Sequence, residues 1–484
     1  MERKFQKTSF ILMFKNKIPD IGMSEKDLFE DLENSKNLDL DWKSGKTFGA
    51  VYYPGESYSK AISSAYVKFM HENAFDPQLF NSILNMENEL VQQTASLFSS
   101  NQKLFGNLTS GGTESIFLAL LSARNWSTKH KNIKNPEVIL SSSAHPAFLK
   151  AMNFLSIKAI IIPTNNDFNL NLKVFKEAIN QNTILLVGSA PAYPTGMIDP
   201  ISELSNLALE NNLLLHIDAC IGGFLLSYLK KCNYTIPLFD FNLEGVSSLS
   251  VDLHKYAYAP KGSSVLLYRN DELRKEQFSV YPSWEGGIYG STSFLGTKPG
   301  GIVAATWFTL NHIGENGYVG LTQKTMSATK VIYDFIQKSE DLSIIGNPIM
   351  SLLAFHSEKY DIFHIADELS NLGWYIGRLQ NPRGIHLVVS QIHADGAAEN
   401  FISDLQTVLN SLKKSKIKNK MVKSTDAFAV NTLKKTGFTS IKKTILSKAK
   451  STKKSKKRLI YDLKSDLNIE ESDDLFKSIL SNFY

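Results

Sequence analysis

Apolar and polar positions change rhythm several times along this 484-residue chain. Over residues 1–95 the apolar positions recur at helical spacing, as in Lys26-Asp-Leu-Phe-Glu-Asp-Leu-Glu and Ser63-Ala-Tyr-Val-Lys-Phe-Met, which predicts an N-terminal arm built on amphipathic helices. From 96 to 315, helical stretches alternate with short β-branched runs such as Ala159-Ile-Ile-Ile162, Thr183-Ile-Leu-Leu-Val187 and Ser264-Val-Leu-Leu-Tyr268. Strands covered on both faces read as continuous apolar runs, so this region predicts an α/β large domain with a mostly parallel sheet. Residues 316–412, with Ile349-Met-Ser-Leu-Leu-Ala-Phe355 and Gly384-Ile-His-Leu-Val-Val-Ser390, predict a smaller α+β domain. No internal repeat is present.

Beyond that the pattern stops and charge takes over. Between Lys413 and Arg458 the chain carries 16 Lys and one Arg against Asp426 alone, a net +16. Because the whole chain is only +6, everything else sums to −10, and the basic balance belongs to the tail. A run of this kind reads as a solvated, partly disordered segment. Attraction to anionic lipid headgroups, at about 1 kcal/mol per lysine, is the leading functional alternative. Lys453-Lys-Ser-Lys-Lys-Arg458 lacks the aromatic interleaving of a nucleic-acid site, so no specific nucleic-acid partner is expected. The closing Glu470-Glu-Ser-Asp-Asp-Leu-Phe turns acidic and could serve as a sorting or secretion signal.

Composition narrows the class further. At 43% hydrophobic residues the chain is globular, and two cysteines, Cys220 and Cys232, exclude a disulfide framework. Neither is spaced with histidines as a metal site, so no metal is expected. The apolar stretch Phe10-Ile-Leu-Met-Phe14 is far short of the roughly 20 residues of a membrane span and lacks a secretory pattern. A soluble, cytoplasmic protein is the expectation.

Three segments carry candidate chemistry. Asn107-Leu-Thr-Ser110-Gly111-Gly112-Thr113-Glu-Ser precedes the helical run Ile116-Phe-Leu-Ala-Leu-Leu-Ser-Ala, and glycines with small hydroxyls at a helix start expose N–H groups to a phosphate. The same residues would begin an ordinary helix, and they lack the GxxxxGK[ST] pattern of a nucleotide P-loop. Leu213-Leu-Leu-His-Ile-Asp218 is an apolar run ending in a carboxylate, the way a parallel strand delivers an acid to a ligand-binding sheet edge. Asp218 could hold a pyridine nitrogen protonated, or cap the next helix. Ser250-Val-Asp-Leu-His254-Lys255-Tyr-Ala-Tyr-Ala-Pro-Lys261-Gly places Lys255 where a pyridoxal phosphate aldehyde could be held as a Schiff base. His145, after Val138-Ile-Leu140, could stack on the cofactor ring or be structural.

Taken with Gly49-Ala-Val-Tyr52, Met86-Glu-Asn-Glu, Gly196-Met-Ile-Asp-Pro200, Trp284-Glu-Gly-Gly-Ile-Tyr289, Gly296-Thr-Lys-Pro-Gly-Gly301 and Gly314-Glu-Asn-Gly-Tyr-Val319, these segments resemble the sphingosine-1-phosphate lyases, within the group II decarboxylase-like family of pyridoxal-phosphate enzymes. The resemblance covers about residues 17–410. It implies the aspartate-aminotransferase-like fold (fold type I) and pyridoxal 5′-phosphate as cofactor. Lys255 would anchor the cofactor covalently, Asp218 would bind the pyridine nitrogen and His145 would stack on the ring. Ser110, Gly111, Gly112, Thr113 and His254 would hold the cofactor phosphate, with Thr297 contributed by a partner subunit of a homodimer. Tyr52, Lys261 and Tyr289 would serve the substrate phosphate and the proton transfers. The implied reaction is a retro-aldol cleavage of a phosphorylated sphingoid base to a long-chain aldehyde and phosphoethanolamine.

Ala-Pro-Lys261-Gly, Gly-Gly-Ile-Tyr289 and Gly-Glu-Asn-Gly-Tyr318 favour this over an amino-acid decarboxylase, which shares the cradle, the Asp and the His-Lys pair. Two positions depart from the family pattern. Asn73-Ala-Phe-Asp76-Pro77 replaces a usual histidine by Asp76, which is expected to weaken phosphate binding and opens the alternative of a catalytically weak, membrane-binding protein. Lys298 replaces a usual arginine, keeping the charge without the planar fork.

Overall fold

Seven strands form the central sheet: β1 (Phe105–Thr109), β2 (Glu137–Ser141), β3 (Lys158–Ile162), β4 (Thr183–Ser189), β5 (Leu214–Asp218), β6 (Ser248–Val251) and β7 (Ser264–Tyr268). The computed structural model describes residues 17–75, 78–99, 101–414 and 469–483. The strand order is β1-β7-β6-β5-β4-β2-β3, and every neighbouring pair is parallel except the two made by β7. Strands β2, β4, β6 and β7 are buried at every position. That explains why they read as unbroken apolar runs rather than as alternating ones.

The helices follow in chain order. The described residues up to Lys43 are a unit of their own. In it, α1 (Glu25–Lys36) starts at Ser24, whose hydroxyl accepts the Asp27 N–H, and buries none of its residues. In the main unit α2 (Glu56–Lys68), α3 (Asn81–Ala95), α4 (Gly112–Lys131), α5 (Ala147–Leu155), α6 (Leu172–Glu177), α7 (Ile201–Glu210), α8 (Gly223–Lys231) and α9 (Asp271–Lys275) accompany the sheet. A hairpin of β8 (Ser279–Trp284) and β9 (Gly287–Ser291) then leads to the long α10 (Gly300–Lys338), interrupted at Gly314, where φ is 62° and ψ 174°. The first apolar core continues past this interruption, through Tyr318, Leu321 and Met326.

Beyond it lies a second apolar core, in which Ala328, Ile332 and Ile336 of α10 pack with Phe355, Phe363, Leu387 and Phe401. Its antiparallel sheet has the order β10-β11-β13-β12, from β10 (Ser343–Ile344), β11 (Leu352–His356), β12 (Gly377–Gln380) and β13 (Arg383–Val388). Helices α11 (Ile362–Asn371) and α12 (Ala397–Lys414) complete it. Lys413, which opens the basic stretch in the sequence, belongs to α12 and pairs with Asp341 at 2.6 Å. A last helix, α13 (Ile469–Phe483), buries Leu475. The rest of the basic tail up to residue 468 lies outside the described residues, as does Asp76. Among the described residues no helix is long and apolar enough to cross a membrane.

Candidate active site

The chain leaves β1, β2, β4, β5 and β6 at their carboxyl ends, and residues just beyond those ends line one cavity of about 470 Å³. An open α/β sheet binds ligands at this edge because the strand ends and helix starts leave polar groups there. The lining includes Ser110–Thr113 after β1, His145 after β2, Tyr193 after β4 and Asp218 at the end of β5. Asp252, His254, Lys255 and Lys261 follow β6. Gly49, Ala50 and Tyr52 arrive by a different route. The segment before them is pinned to the second core, where Thr47 bridges Tyr375 and Phe48 stacks on His393 at 4.3 Å between centroids.

The cradle is tightly built. A Cβ on Gly112 would lie 2.8 Å from Cys220 Sγ and 2.9 Å from Asp252 Oδ1, so the position admits only glycine without movement. Gly111 has φ 151°, a conformation that side chains rarely adopt. At the start of α4 the N–H groups of Gly112 and Thr113 have no intrahelical acceptor and suit an anion. Ser110 is occupied differently, since its N–H and its hydroxyl both donate to Glu114 Oε2 at 2.6 Å. The other oxygen of Glu114 accepts the Phe294 N–H at 2.8 Å, tying the cradle to the loop before Thr297.

Lys255 Nζ stands 2.9 Å from Asp252 Oδ2, with His254 Nε2 at 3.6 Å from the same oxygen. Burial works against the Lys255 charge, but Asp252, with Cys220 and Asp218, outweighs it and holds the ammonium above its ordinary range. His254 is held down by burial, against the pull of Asp252. Asp218 accepts the Cys220 N–H at 3.0 Å and is 8% exposed. Behind it, burial and then Asp218 push Asp199 up to about 7, although its Oδ2 accepts the Ser189 N–H at 2.7 Å. His145 Nδ1 accepts the Ala147 N–H at 3.2 Å, which places the proton of the neutral ring on Nε2. Burial lowers the His145 pKa, and Asp218 opposes the shift.

On the far side of Lys255, Lys261 Nζ lies 4.9 Å from the Tyr52 ring centroid and donates to the His254 carbonyl at 3.2 Å. Burial first, and then the Lys255 charge, bring Lys261 down to about 8. Burial drives the Tyr52 hydroxyl well above its usual value. The run is fixed from behind: Tyr256 bonds Ser351 at 2.6 Å and the Val389 carbonyl at 2.7 Å, and the Tyr318 hydroxyl donates to the Ala257 carbonyl at 2.8 Å.

The cavity therefore gathers Tyr52, Ser110, Gly111, Gly112, Thr113, His145, Asp218, His254, Lys255 and Lys261. Tyr289 and Thr297 stand apart from it. Tyr289 lies on the β8–β9 hairpin beside Tyr281 and Trp284, and Thr297 is exposed. Lys298 is committed elsewhere, since it is buried and makes a short ion pair with Glu87, which also accepts the Leu108 N–H at 3.3 Å.

Sequence reading missed Asp252, Glu114 and Tyr193. Asp252 follows the short strand Ser248–Val251, which alternates serine with leucine and valine and so lacks the apolar run that drew attention to Asp218. Glu114 sat inside the cradle motif. Tyr193 offered no local signal, because only folding brings it within 6.5 Å of His145 between ring centroids.

A pyridoxal phosphate fits these residues. The cradle has no room for a Cβ at Gly112, His254 Nδ1 is buried without a hydrogen-bond partner among the described residues, and a lysine and a carboxylate share the same cavity.

Comparison with known proteins agrees. Residues 9–358 match the pyridoxal-dependent decarboxylase conserved domain. The chain is 41% identical over 414 residues to the sphingosine-1-phosphate lyase of Oryza sativa, covering 84% of this chain and 76% of that protein. It is 38% identical over 400 residues to sphingosine-1-phosphate lyase 1 of Rattus norvegicus, with 82% and 70% covered. The structure of a Burkholderia pseudomallei sphingosine-1-phosphate lyase superposes with a TM-score of 0.80 at 33% identity, covering 85% of this chain and 96% of that one. A Lactobacillus brevis glutamate decarboxylase, at 19% identity and a TM-score of 0.71, shares the fold.

Proposed function

This chain belongs to the sphingosine-1-phosphate lyase family of pyridoxal-dependent enzymes, and from that premise we propose that its cavity cleaves a phosphorylated sphingoid base into a long-chain aldehyde and phosphoethanolamine. When bound, pyridoxal phosphate supplies a protonated ring that accepts the electron pair released as a bond to the amine-bearing carbon breaks. The chain's own residues do the rest. Asp218 keeps a pyridine nitrogen protonated by placing a carboxylate beside it. His145 offers a flat face and an Nε2 proton, while Gly111, Gly112, Thr113 and His254 take the cofactor phosphate. Lys255 is the amine that anchors the cofactor and returns a proton to the product carbon.

The observation that carries the lyase reading is the second lysine. Cleavage between C2 and C3 needs a base for the C3 hydroxyl proton and cationic partners for the substrate phosphate. Lys261, close to neutrality at about 8 and packed against Tyr52, supplies a charge that an amino-acid decarboxylase reaction does not require. The test compares turnover of a phosphorylated sphingoid base with that of its unphosphorylated parent. Strong preference for the phosphorylated form in the parent enzyme, lost in Lys261→Ala, supports the reading, whereas equal turnover of both contradicts it.

Tyr289 and Thr297 complete the site through a second copy of the chain. The hairpin that carries Tyr289 exposes Val280, Tyr281, Trp284 and Ile288, and Phe294 follows, an apolar surface consistent with a homodimer whose subunits share active sites. Sedimentation of the full chain as a dimer, with turnover restored by mixing inactive Lys255→Ala and Tyr289→Ala subunits, is the expected result.

A further inference from the structure

Tyr52 is held from both chain directions by one short segment of the second core. That segment, residues 388–393, runs from the end of β13 into a single 3₁₀ turn, Gln391–His393. Upstream of Tyr52, the buried His393 ring accepts the Ser390 N–H at Nδ1, so its Nε2 carries the proton and donates to the Thr47 carbonyl at 3.1 Å. Downstream, the Gln391 side-chain amide donates to the carbonyl of Tyr53, the residue next to Tyr52. Between these two pins Ala50 has φ 61°, and the Val51 N–H reaches back to the Gly49 carbonyl at 2.7 Å. An alanine keeps a left-handed backbone only where its surroundings hold it there.

The same segment grips the loop that carries Lys255 and Lys261. The Val389 carbonyl accepts the hydroxyl of Tyr256, the residue after Lys255, at 2.7 Å. Burial pushes the Tyr258 hydroxyl up to about 12, and hydrogen bonds from Thr325 and the Gln391 backbone oppose the shift. Tyr258 lies midway between the two lysines. Its φ of 59° and the bond from its N–H to the Lys255 carbonyl at 2.9 Å form the reversal that brings Lys261 back to the His254 carbonyl at 3.2 Å. Gln391 therefore meets both arms of the cavity, the Tyr52 arm through its side chain and the Lys261 arm through its backbone.

We propose that Gln391 is the positioning residue that sets Tyr52 against Lys261 and so shapes the subsite for the substrate phosphate. The inference rests on Tyr52 and Lys261 receiving that phosphate. A phosphate gains most from a cation and a phenol that already stand at their working separation, because ordering them on binding costs entropy. Here the Lys261 ammonium is 4.9 Å from the Tyr52 ring centroid. Gln391 is not among the residues lining the cavity, so it acts through these two. Without its amide the Tyr53 carbonyl loses this donor, and the chain after Thr47 is free to leave the left-handed turn at Ala50. Tyr52 moves with that turn. Lys255 keeps its ion pair with Asp252 at 2.9 Å, and the cradle keeps its brace from Glu114 to Ser110 at 2.6 Å. The loss therefore falls on substrate binding and spares the cofactor.

The test measures aldehyde release from sphingosine 1-phosphate by the full chain loaded with pyridoxal phosphate, with inorganic phosphate as a competing probe. In Gln391→Leu, KM for the phosphorylated base is expected to rise about tenfold, the worth of one hydrogen bond to a charged group. The inhibition constant of inorganic phosphate is expected to rise by a similar factor, while kcat stays within about twofold and the cofactor's visible absorbance is unchanged. A general loosening of the fold would instead lower kcat and absorbance together. Aldehyde release by the parent, with KM and phosphate inhibition unchanged in Gln391→Leu, would overturn the inference and leave the lyase reading standing. So would a Gln391→Leu protein that loses the cofactor's absorbance or its cooperative thermal transition, because Gln391 would then support the fold as a whole. No aldehyde from the parent would overturn the lyase reading, and the inference with it.

Discussion

Lys261 and Tyr52 meet in the cavity lining, with the ammonium 4.9 Å from the ring centroid, although they come from distant parts of the chain. The contact joins the loop after β6 to a segment pinned on the second core by the Thr47–Tyr375 bridge. It places a cation and a phenol together in the cavity that Lys255 also lines.

The pH dependence of substrate binding follows from Lys261. Burial brings its pKa down to about 8, so the ammonium is present below that pH and is lost above it. KM for the phosphorylated base is expected to be flat below pH 8 and to climb by up to about tenfold per unit above it. Lys261→Arg keeps its charge throughout this range and is expected to flatten the rise. Steady-state kinetics across pH, with kcat and KM separated, measure this.

Lys298 and Glu87 are both buried, at 10% and 9% side-chain exposure, and their ion pair also holds the Leu108 N–H through Glu87. Removing one partner strands a buried charge. Lys298→Met is expected to destabilise the fold by about 3 kcal/mol, while Lys298→Arg, which preserves the charge, costs far less. Urea unfolding midpoints compare the two.

Glu114 holds the Ser110 N–H and hydroxyl at 2.6 Å and the Phe294 N–H at 2.8 Å. Glu114→Ala leaves the cradle loop without its brace, and cofactor affinity is expected to drop at least about tenfold, the worth of one charge-assisted hydrogen bond. Equilibrium dialysis with pyridoxal phosphate reads the change directly.

At Gly112 a methyl group would stand 2.8 Å from Cys220 Sγ and 2.9 Å from Asp252 Oδ1. Gly112→Ala is therefore expected to purify without the cofactor's visible absorbance while keeping a cooperative thermal transition. Retention of the cofactor at the parent's level would show that the cradle can yield.

How much of this could be read along the chain follows from where each residue sits. Asp218 closes β5, whose apolar run was legible, whereas the Ser110–Thr113 cradle was found through glycines and hydroxyls at a helix start and Lys255 through the motif around it. The mostly parallel sheet was legible from its apolar runs, whereas for residues 316–412 only a smaller α+β unit was read and the antiparallel order of its sheet came with the fold. Tyr193 and the Lys298–Glu87 pair were not legible, because their partners are far apart in the chain and no periodicity encodes them. Lys298, read only as a charge kept without the planar fork, is a buried partner of Glu87. Asp252 was in plain view three residues before Lys255, but its significance depends on the distances to Nζ and to Gly112, which only the fold supplies.

The central claim is that this cavity breaks a carbon–carbon bond and not the bond to a carboxylate. Purified full-length protein loaded with pyridoxal phosphate is incubated with sphingosine 1-phosphate, and separately with amino acids such as glutamate, and the products are identified by mass spectrometry and carbon dioxide release. Long-chain aldehyde and phosphoethanolamine in equal amounts from the phosphorylated base, absent in Lys255→Ala, is the expected result. Carbon dioxide from an amino acid, with no aldehyde from sphingosine 1-phosphate, would contradict the account.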